Sequence, residues 1–388
     1  MKILGYRNDF AVNETRKKTD AYGGLGYYRT VKPCEKLKEK YDVTVWGRRM
    51  IDTSANPIEL WTKVFNEYHV LWTRYFDKGG AISYLMGMRD HFTNDLGKTR
   101  KVVVDIDDWH LGVDESNPEY QAYAPGKSKR AVVSAMFSLA DAMTVSTEPL
   151  KEAYSKYLKD VYAIDKPIFV VPNFNDVNDW NFTPAERDPN KVVIGYTGSI
   201  THNDDLTMVL PTLRKLMEKY PHVHLQLLGL VQKGKVPHFF GDWPQELRNR
   251  VDLLGATETF QEYPEWLASQ AWDIGIAPLV DTAFTRAKSH IKWMEYSMYE
   301  IPTVASRVYP YFMELAGRDT IVDGETGFLC RPNEWEQKLE RLILDKELRV
   351  KIGQQAKEYV KRAWQYKDSN IIETWDEILE TVYPSKER

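Results

Sequence analysis

Lys288, Lys292 and Glu295 follow one another at spacings of four and three residues. At about 100° per residue this puts two amines and a carboxylate on one stripe of a helix, which Tyr299 continues. Cations at a helix start add to the partial positive charge of its free N–H groups, so the placement is unfavourable alone and favourable beside an anion. A phosphate docked there meets free amides and both amines together, and Glu295 is placed to accept hydrogen bonds from sugar hydroxyls. The competing reading is a solvated face of Lys–Glu pairs. Here the lysines precede the glutamate, which is the weaker order for such pairs.

A second constellation is Asp105, Asp107 and Asp108, at the end of the apolar run that begins Lys101-Val-Val-Val. Such a run reads as a buried parallel strand delivering its carboxylates to the sheet edge where ligands of open α/β sheets bind. The bland alternative is that the aspartates cap the next turn. A third is Gly23-Gly-Leu-Gly26, whose glycines let backbone approach a ligand at a helix start. Its spacing is not the dinucleotide fingerprint, and a plain turn explains it equally well.

The elements that must position these groups are legible as two α/β series. Residues 2–6, a helix to about Lys40 and Tyr41–Trp46 form a first βαβ unit, continued by strands at His69–Thr73, from Lys101, at Ala142–Ser146 and at Ile168–Asn173. Arg16-Lys-Lys18 lies in a polar loop after the first strand. The polar, proline-bearing stretch Asn178–Asn190 lacks periodicity and reads as a linker. Strands at Lys191–Ser199, Val223–Leu228, Val251–Leu254 and Asp273–Ala277 follow, with Asp204 and Asp205 capping a helix through Lys219. Arg286–Ser306 is expected to be a helix over residues 286–300, with Ile291, Met294 and Met298 on its apolar side, that Pro302 stops before a strand at Thr303-Val-Ala. Three helices close the chain from Asn333. The expected domains are 1–180 and 191–365, with a helix in 366–388 that can cross back to the first.

Composition sets bounds. The 388 residues carry 43% hydrophobic side chains and a net charge of −4, with 26 Lys+Arg against 25 Asp+Glu up to residue 180 and 26 against 31 beyond it. Neither part is a polyanion-binding surface on charge alone. Cys34 and Cys330, the two cysteines, have no metal-ligand spacing and fit a reducing compartment. No run of 18 apolar residues and no signal peptide is visible, so the expected location is cytoplasmic, with peripheral attachment to a membrane left open.

Gly195-Tyr-Thr-Gly-Ser199, Lys288-Ser-His-Ile-Lys-Trp-Met-Glu295 with Pro302-Thr-Val-Ala-Ser306, and Asp323-Gly-Glu-Thr-Gly-Phe328 resemble, in order and spacing, the retaining glycosyltransferases of family four. The resemblance implies an α/β chain of the GT-B fold, two Rossmann-like domains facing across a cleft. It implies transfer of a glycosyl group, hexosyltransferase-like and with retention, from a nucleotide diphosphate sugar, UDP-linked, to an acceptor hydroxyl. Carried over, Glu295 is the ribose-binding glutamate, Gly198 and Ser199 are the diphosphate-facing turn, Lys288, Ser289, His290 and Lys292 belong to nucleotide-sugar binding, and Gly24 and Gly26 form the loop near sugar and phosphates. The resemblance also gives the acceptor to the first domain and the nucleotide sugar to the second. On grounds of charge Lys288 and Lys292 would stabilise the leaving diphosphate, and Asp107 or Asp108, whose role the resemblance does not supply, would orient the acceptor. No metal and no cofactor beyond the donor is expected.

Two departures stand out. Alanine occupies position 287, where the family carries the first glutamate of Glu-x7-Glu, and Ser199 with His202-Asn-Asp-Asp205 replaces the usual arginine and lysine. Two rivals remain: a nucleotide-sugar-binding protein without catalysis, and a GT-A enzyme using Asp105-Ile-Asp107 as a metal-binding Asp-x-Asp. The acceptor, whether glycan, glycolipid, protein or a modified nucleic-acid base, is not legible.

Overall fold

The computed structural model describes residues 1–7, 21–47, 57–74, 79–117, 119–199, 203–229 and 240–384. Arg16-Lys-Lys18 and His202 lie outside the described residues. Two parallel sheets of six strands each dominate the molecule. The first contains β1 (Lys2–Arg7), β2 (Asp42–Gly47), β3 (Val70–Arg74), β4 (Lys101–Ile106), β5 (Ala142–Val145) and β6 (Ile168–Val170), in the order β2-β1-β3-β4-β5-β6. The second contains β7 (Val192–Thr197), β8 (Val223–Leu228), β9 (Val251–Leu254), β10 (Ile274–Ala277) and β11 (Thr303–Ser306). After an antiparallel ribbon of β12 (Glu314–Leu315) and β13 (Arg318–Asp319), β14 (Phe328–Cys330) completes it, in the order β14-β11-β10-β7-β8-β9. The chain thus has the α/β, GT-B architecture.

The strands are apolar runs because both faces of each sheet are covered by helices. Val102, Val103 and Val104 of β4 have no exposed surface, and neither do Ile274, Ile276 and Ala277 of β10. The two sheets differ in winding. The second has the order of a dinucleotide-binding sheet, whereas in the first the crossover passes one strand and gives a flavodoxin-like start. The direction of winding reverses between β1 and β3 and between β7 and β10. Ligands of open α/β sheets bind beyond the carboxyl ends of strands at such points, and these two edges face one another across the cleft.

The chain crosses between the domains twice, and the crossings pair: Asn175 N–H donates to Trp364 O and Tyr366 N–H to Asn175 O, both at 2.9 Å. Beyond the second crossing, the helix Ile371–Val382 packs on the first domain. Its Trp375 meets Trp72 with ring centroids 4.8 Å apart, its Asp376 receives hydrogen bonds from Lys40 and Tyr41, and the Tyr383 hydroxyl donates to His69 O at 2.7 Å.

The helix expected over residues 286–300 is shorter and interrupted. A turn, Ala283–Arg286, is opened by a capping box in which Thr282 and Thr285 satisfy each other's backbone, and the helix proper runs Ile291–Met298 with His290 at its N-cap. Lys288 therefore precedes the helix, and Lys292 alone of the two lies in its first turn. The break holds because residues 287–289 are gripped from the first domain, as described next.

Candidate functional site

Between the carboxyl edges of the two sheets lies a cavity of about 510 Å³. Its floor on the second domain is the turn after β7. Gly198 is required there, since a Cβ would come within 2.2 Å of the Tyr196 hydroxyl. Gly229, after β8, has φ +83° and would put a Cβ 2.6 Å from Gly198 O. The two glycines bring the ends of adjacent strands together and leave Gly198, Ser199 and Gly229 facing the cavity. Opposite them the Ile291–Met298 helix presents its N-terminus, with Ser289, Lys292 and Glu295 on the wall.

Lys292 is the unusual group. Its ammonium is held over the Tyr196 ring at 5.9 Å and has no hydrogen-bond or ion-pair partner among the described residues. Burial, with the neighbouring charge of Lys288, pushes its pKa down to about 8, against the pull of Asp205, Glu295 and Asp108. Glu295, one turn on, is pushed up to about 7 by burial, even though its two oxygens each accept a tyrosine hydroxyl at 3.1 Å, Tyr28 from the first domain and Tyr263 from the second. Burial thus disfavours the charged form of both groups, a cation and a carboxylate one turn apart on the cavity wall.

The first domain supplies the other wall through Gly24, Asp107 and Asp108. The three aspartates do not converge. Asp105 is fully buried in an ion pair with Arg29 at 2.6 Å, whose guanidinium also donates to Val171 O and Asn173 Oδ1. Asp107 pairs with Arg74 at 2.7 Å, and burial raises its pKa despite that partner. Asp108 reaches across the cleft to Lys288 at 3.1 Å. Among the described residues no group of three or more His, Cys, Asp or Glu is placed to hold a metal ion. The GT-B sheets are not the fold that the Asp-x-Asp reading requires.

Three consecutive residues take contacts from three different loops of the first domain. Thr147 Oγ1 donates to Ala287 O at 2.8 Å, Asp108 pairs with Lys288, and Asn173 Nδ2 donates to Ser289 Oγ at 2.9 Å. The methyl group of Ala287 is buried in the first domain's core. A glutamate at 287 would have to place its charge there, so the alanine belongs to the way the domains close.

Of the residues singled out from sequence, the cavity collects Gly24, Asp107, Asp108, Gly198, Ser199, Lys288, Ser289, Lys292 and Glu295. It does not collect His290, which is fully buried with its ring 4.1 Å from Trp364 and both nitrogens without a partner among the described residues. Burial pushes its pKa down to about 3, which keeps the ring neutral. Gly26 is likewise buried, in the helical turn after the loop, and does not line the cavity. Sequence reasoning missed Gly229 and the wall Thr257–Phe260 with Tyr263. Gly229 ends a strand as Gly198 does, a signal the sequence contained; the 257–260 wall is defined by contact with the other domain, where Phe260 N–H donates to Tyr22 O at 2.8 Å and its ring stacks on Tyr27.

Comparison with known proteins bears on this geometry. Residues 191–345 match the sequence profile of the family described as Glycosyl transferases group 1. The capsular polysaccharide biosynthesis glycosyltransferase CapM of Staphylococcus aureus is 24% identical over 265 residues, 64% of this chain and 62% of that protein. Among solved structures, TarM is similar over 83% of this chain and 58% of its own, with 15% identity and a TM-score of 0.56. An alpha-glucosyltransferase in complex with UDP and a 13-mer DNA containing a HMU base is similar over 98% of this chain and 99% of its own, with 12% identity and a TM-score of 0.65. The chain thus spans less than two thirds of CapM and of TarM, and likeness at these identities to the solved structures speaks to fold. No helix of the described residues is long and apolar enough to cross a membrane. The match to the glycosyl transferases group 1 profile thus covers residues 191–345, most of the second domain of a GT-B fold.

Proposed function

We propose that this protein transfers a glycosyl group from a nucleoside diphosphate sugar, with UDP as the nucleotide, to an acceptor hydroxyl with retention at the anomeric carbon. The observation that carries the reading is Lys292, an ammonium held without a counter-ion among the described residues in the first turn of a helix that points into the cavity between the domains. A diphosphate placed there meets Lys292, the free N–H groups of the helix start and the turn at Gly198 and Ser199, while Glu295 receives the ribose hydroxyls. The barrier lies in parting a diphosphate from an oxocarbenium-like sugar, and fixed cations and dipoles lower it because they are in place before the charge develops.

Lys288 turns from Asp108 to the phosphates when the donor binds. Asp108 is then available to orient an acceptor hydroxyl, and Asp107 keeps its place through Arg74. The acceptor attacks from the side the diphosphate leaves, and the departing phosphate takes its proton. Turnover of a nucleotide-sugar panel, with the product's anomeric configuration read by NMR, tests this. An inverted anomer would remove retention, and binding without turnover would leave a nucleotide-sugar receptor. That second reading draws on Ala287 and on the engagement of Lys288 by Asp108.

A further inference from the structure

The Tyr28 hydroxyl, fully buried in the cleft, lies 3.1 Å from Glu295 Oε1 and 3.0 Å from Asn175 Oδ1. A phenol has one proton and cannot donate to both. Asn175 Nδ2, meanwhile, is buried without a partner among the described residues. With the Asn175 amide turned over, Nδ2 donates to the Tyr28 oxygen and the phenol proton is left for Glu295, while Oδ1, an acceptor, takes the place without a partner among the described residues. Asn175 is the residue at which the two interdomain crossings pair, through Trp364 O and Tyr366 N–H. A continuous path therefore runs from the hinge to the carboxylate in the cavity.

We propose that Tyr28 is a positioning residue that holds the Glu295 carboxylate from across the cleft and ties it to the hinge at Asn175, so that the nucleoside is recognised in the closed arrangement of the domains. This rests on the reading of the cavity as a nucleoside diphosphate site. A carboxylate offers about four acceptor positions. Tyr28 and Tyr263 occupy one on each oxygen and leave the others for two ribose hydroxyls. Opening the cleft carries Tyr28 away with the first domain and leaves Glu295 with Tyr263 alone, free to rotate about its remaining contact.

Calorimetry on the full chain with UDP and, separately, inorganic pyrophosphate tests the proposal. Tyr28→Phe is expected to weaken UDP about tenfold, as loss of one charge-assisted hydrogen bond does, and to leave pyrophosphate unchanged. In a Glu295→Ala background the same change is expected to have no further effect. Asn175→Ala, which keeps the phenol and removes its anchor, should weaken UDP by about threefold and serves if Tyr28→Phe does not fold. Unaltered UDP affinity, equal loss of UDP and pyrophosphate, or an undiminished loss in the Glu295→Ala background each overturns the role of Tyr28. A parent protein that binds UDP separates these outcomes from failure of the site itself, and one that binds neither ligand overturns both.

Discussion

At the carboxyl end of β4 in the first domain, Asp105, Asp107 and Asp108 each meet a cation of their own, at 2.6, 2.7 and 3.1 Å. On the second-domain face, Lys292 has no counter-ion among the described residues and Glu295 is satisfied by phenols. Each face presents three or so ionisable groups at strand or helix ends, and sequence alone made both look like chemistry. The difference is whether the charge is neutralised within the fold. A charge that finds its partner in the framework holds elements in place, whereas a charge left half-buried without one is favourable once a ligand supplies the opposite sign.

The sharpest way to break this comparison is at Asp105. Asp105→Ala would strand the Arg29 guanidinium in the core, and urea unfolding should register a loss of about 3–5 kcal/mol. A loss near zero would mean that the aspartate does not serve the framework. Next, Glu295→Ala should weaken UDP by about 1.5–3 kcal/mol, as removal of a charge-assisted acceptor does, without comparable loss of unfolding stability. Equal losses in both measurements would place Glu295 with the framework aspartates.

Lys292→Ala should slow turnover at saturating donor by at least about tenfold, or 1.4 kcal/mol of barrier. Lys288→Ala should slow it less, because its ammonium begins in an ion pair that donor binding has to break. Steady-state kinetics in which Lys288 matters more than Lys292 would reverse the assignment of the leaving-group cation.

Affinity for UDP should also depend on pH. Lys292, pushed down to about 8, loses its charge as pH rises through that value; Glu295, pushed up to about 7, gains a proton as pH falls through it. Binding wants the charged form of both, so affinity peaks between about 7 and about 8 and falls on either side, with net proton uptake on the alkaline side. A flat calorimetric profile would show that neither group meets the nucleotide. The smallest expected effect is that of chelation: excess EDTA should leave turnover within about twofold, under 0.5 kcal/mol. Abolition with rescue by manganese would transfer the neutralising task from the lysines to a metal.

The sheets were legible because their strands are short apolar runs closed by small or polar residues, as at Val102–Val104 and Ile274–Ala277, and because Asn178–Asn190 breaks that pattern. Less of the site was legible. Helical spacing set Lys288 on the same stripe as Lys292, but the grip of Thr147 and Asn173 on residues 287 and 289 interrupts the helix, and nothing local announces contacts from more than a hundred residues away. His290 lies within the same motif and ends in the interior because Trp364 covers it. Tyr28 was visible as part of an aromatic pair after the glycines, yet its task depends on a carboxylate 267 residues further along.

The return of the Ile371–Val382 helix to the first domain makes the second domain, in the topological sense, an insertion. On the ribosome the first domain cannot bury Trp72 or seat Lys40 until the Ile371–Val382 helix emerges, whereas the second domain has its whole sheet by β14. Synthesis should therefore yield a folded second domain first, with the amino-terminal sheet waiting for its covering helix, contrary to the usual order in which amino-terminal domains finish first. A stalled chain ending shortly before Ile371 should resist protease across residues 191–345 and be cut within the first sheet.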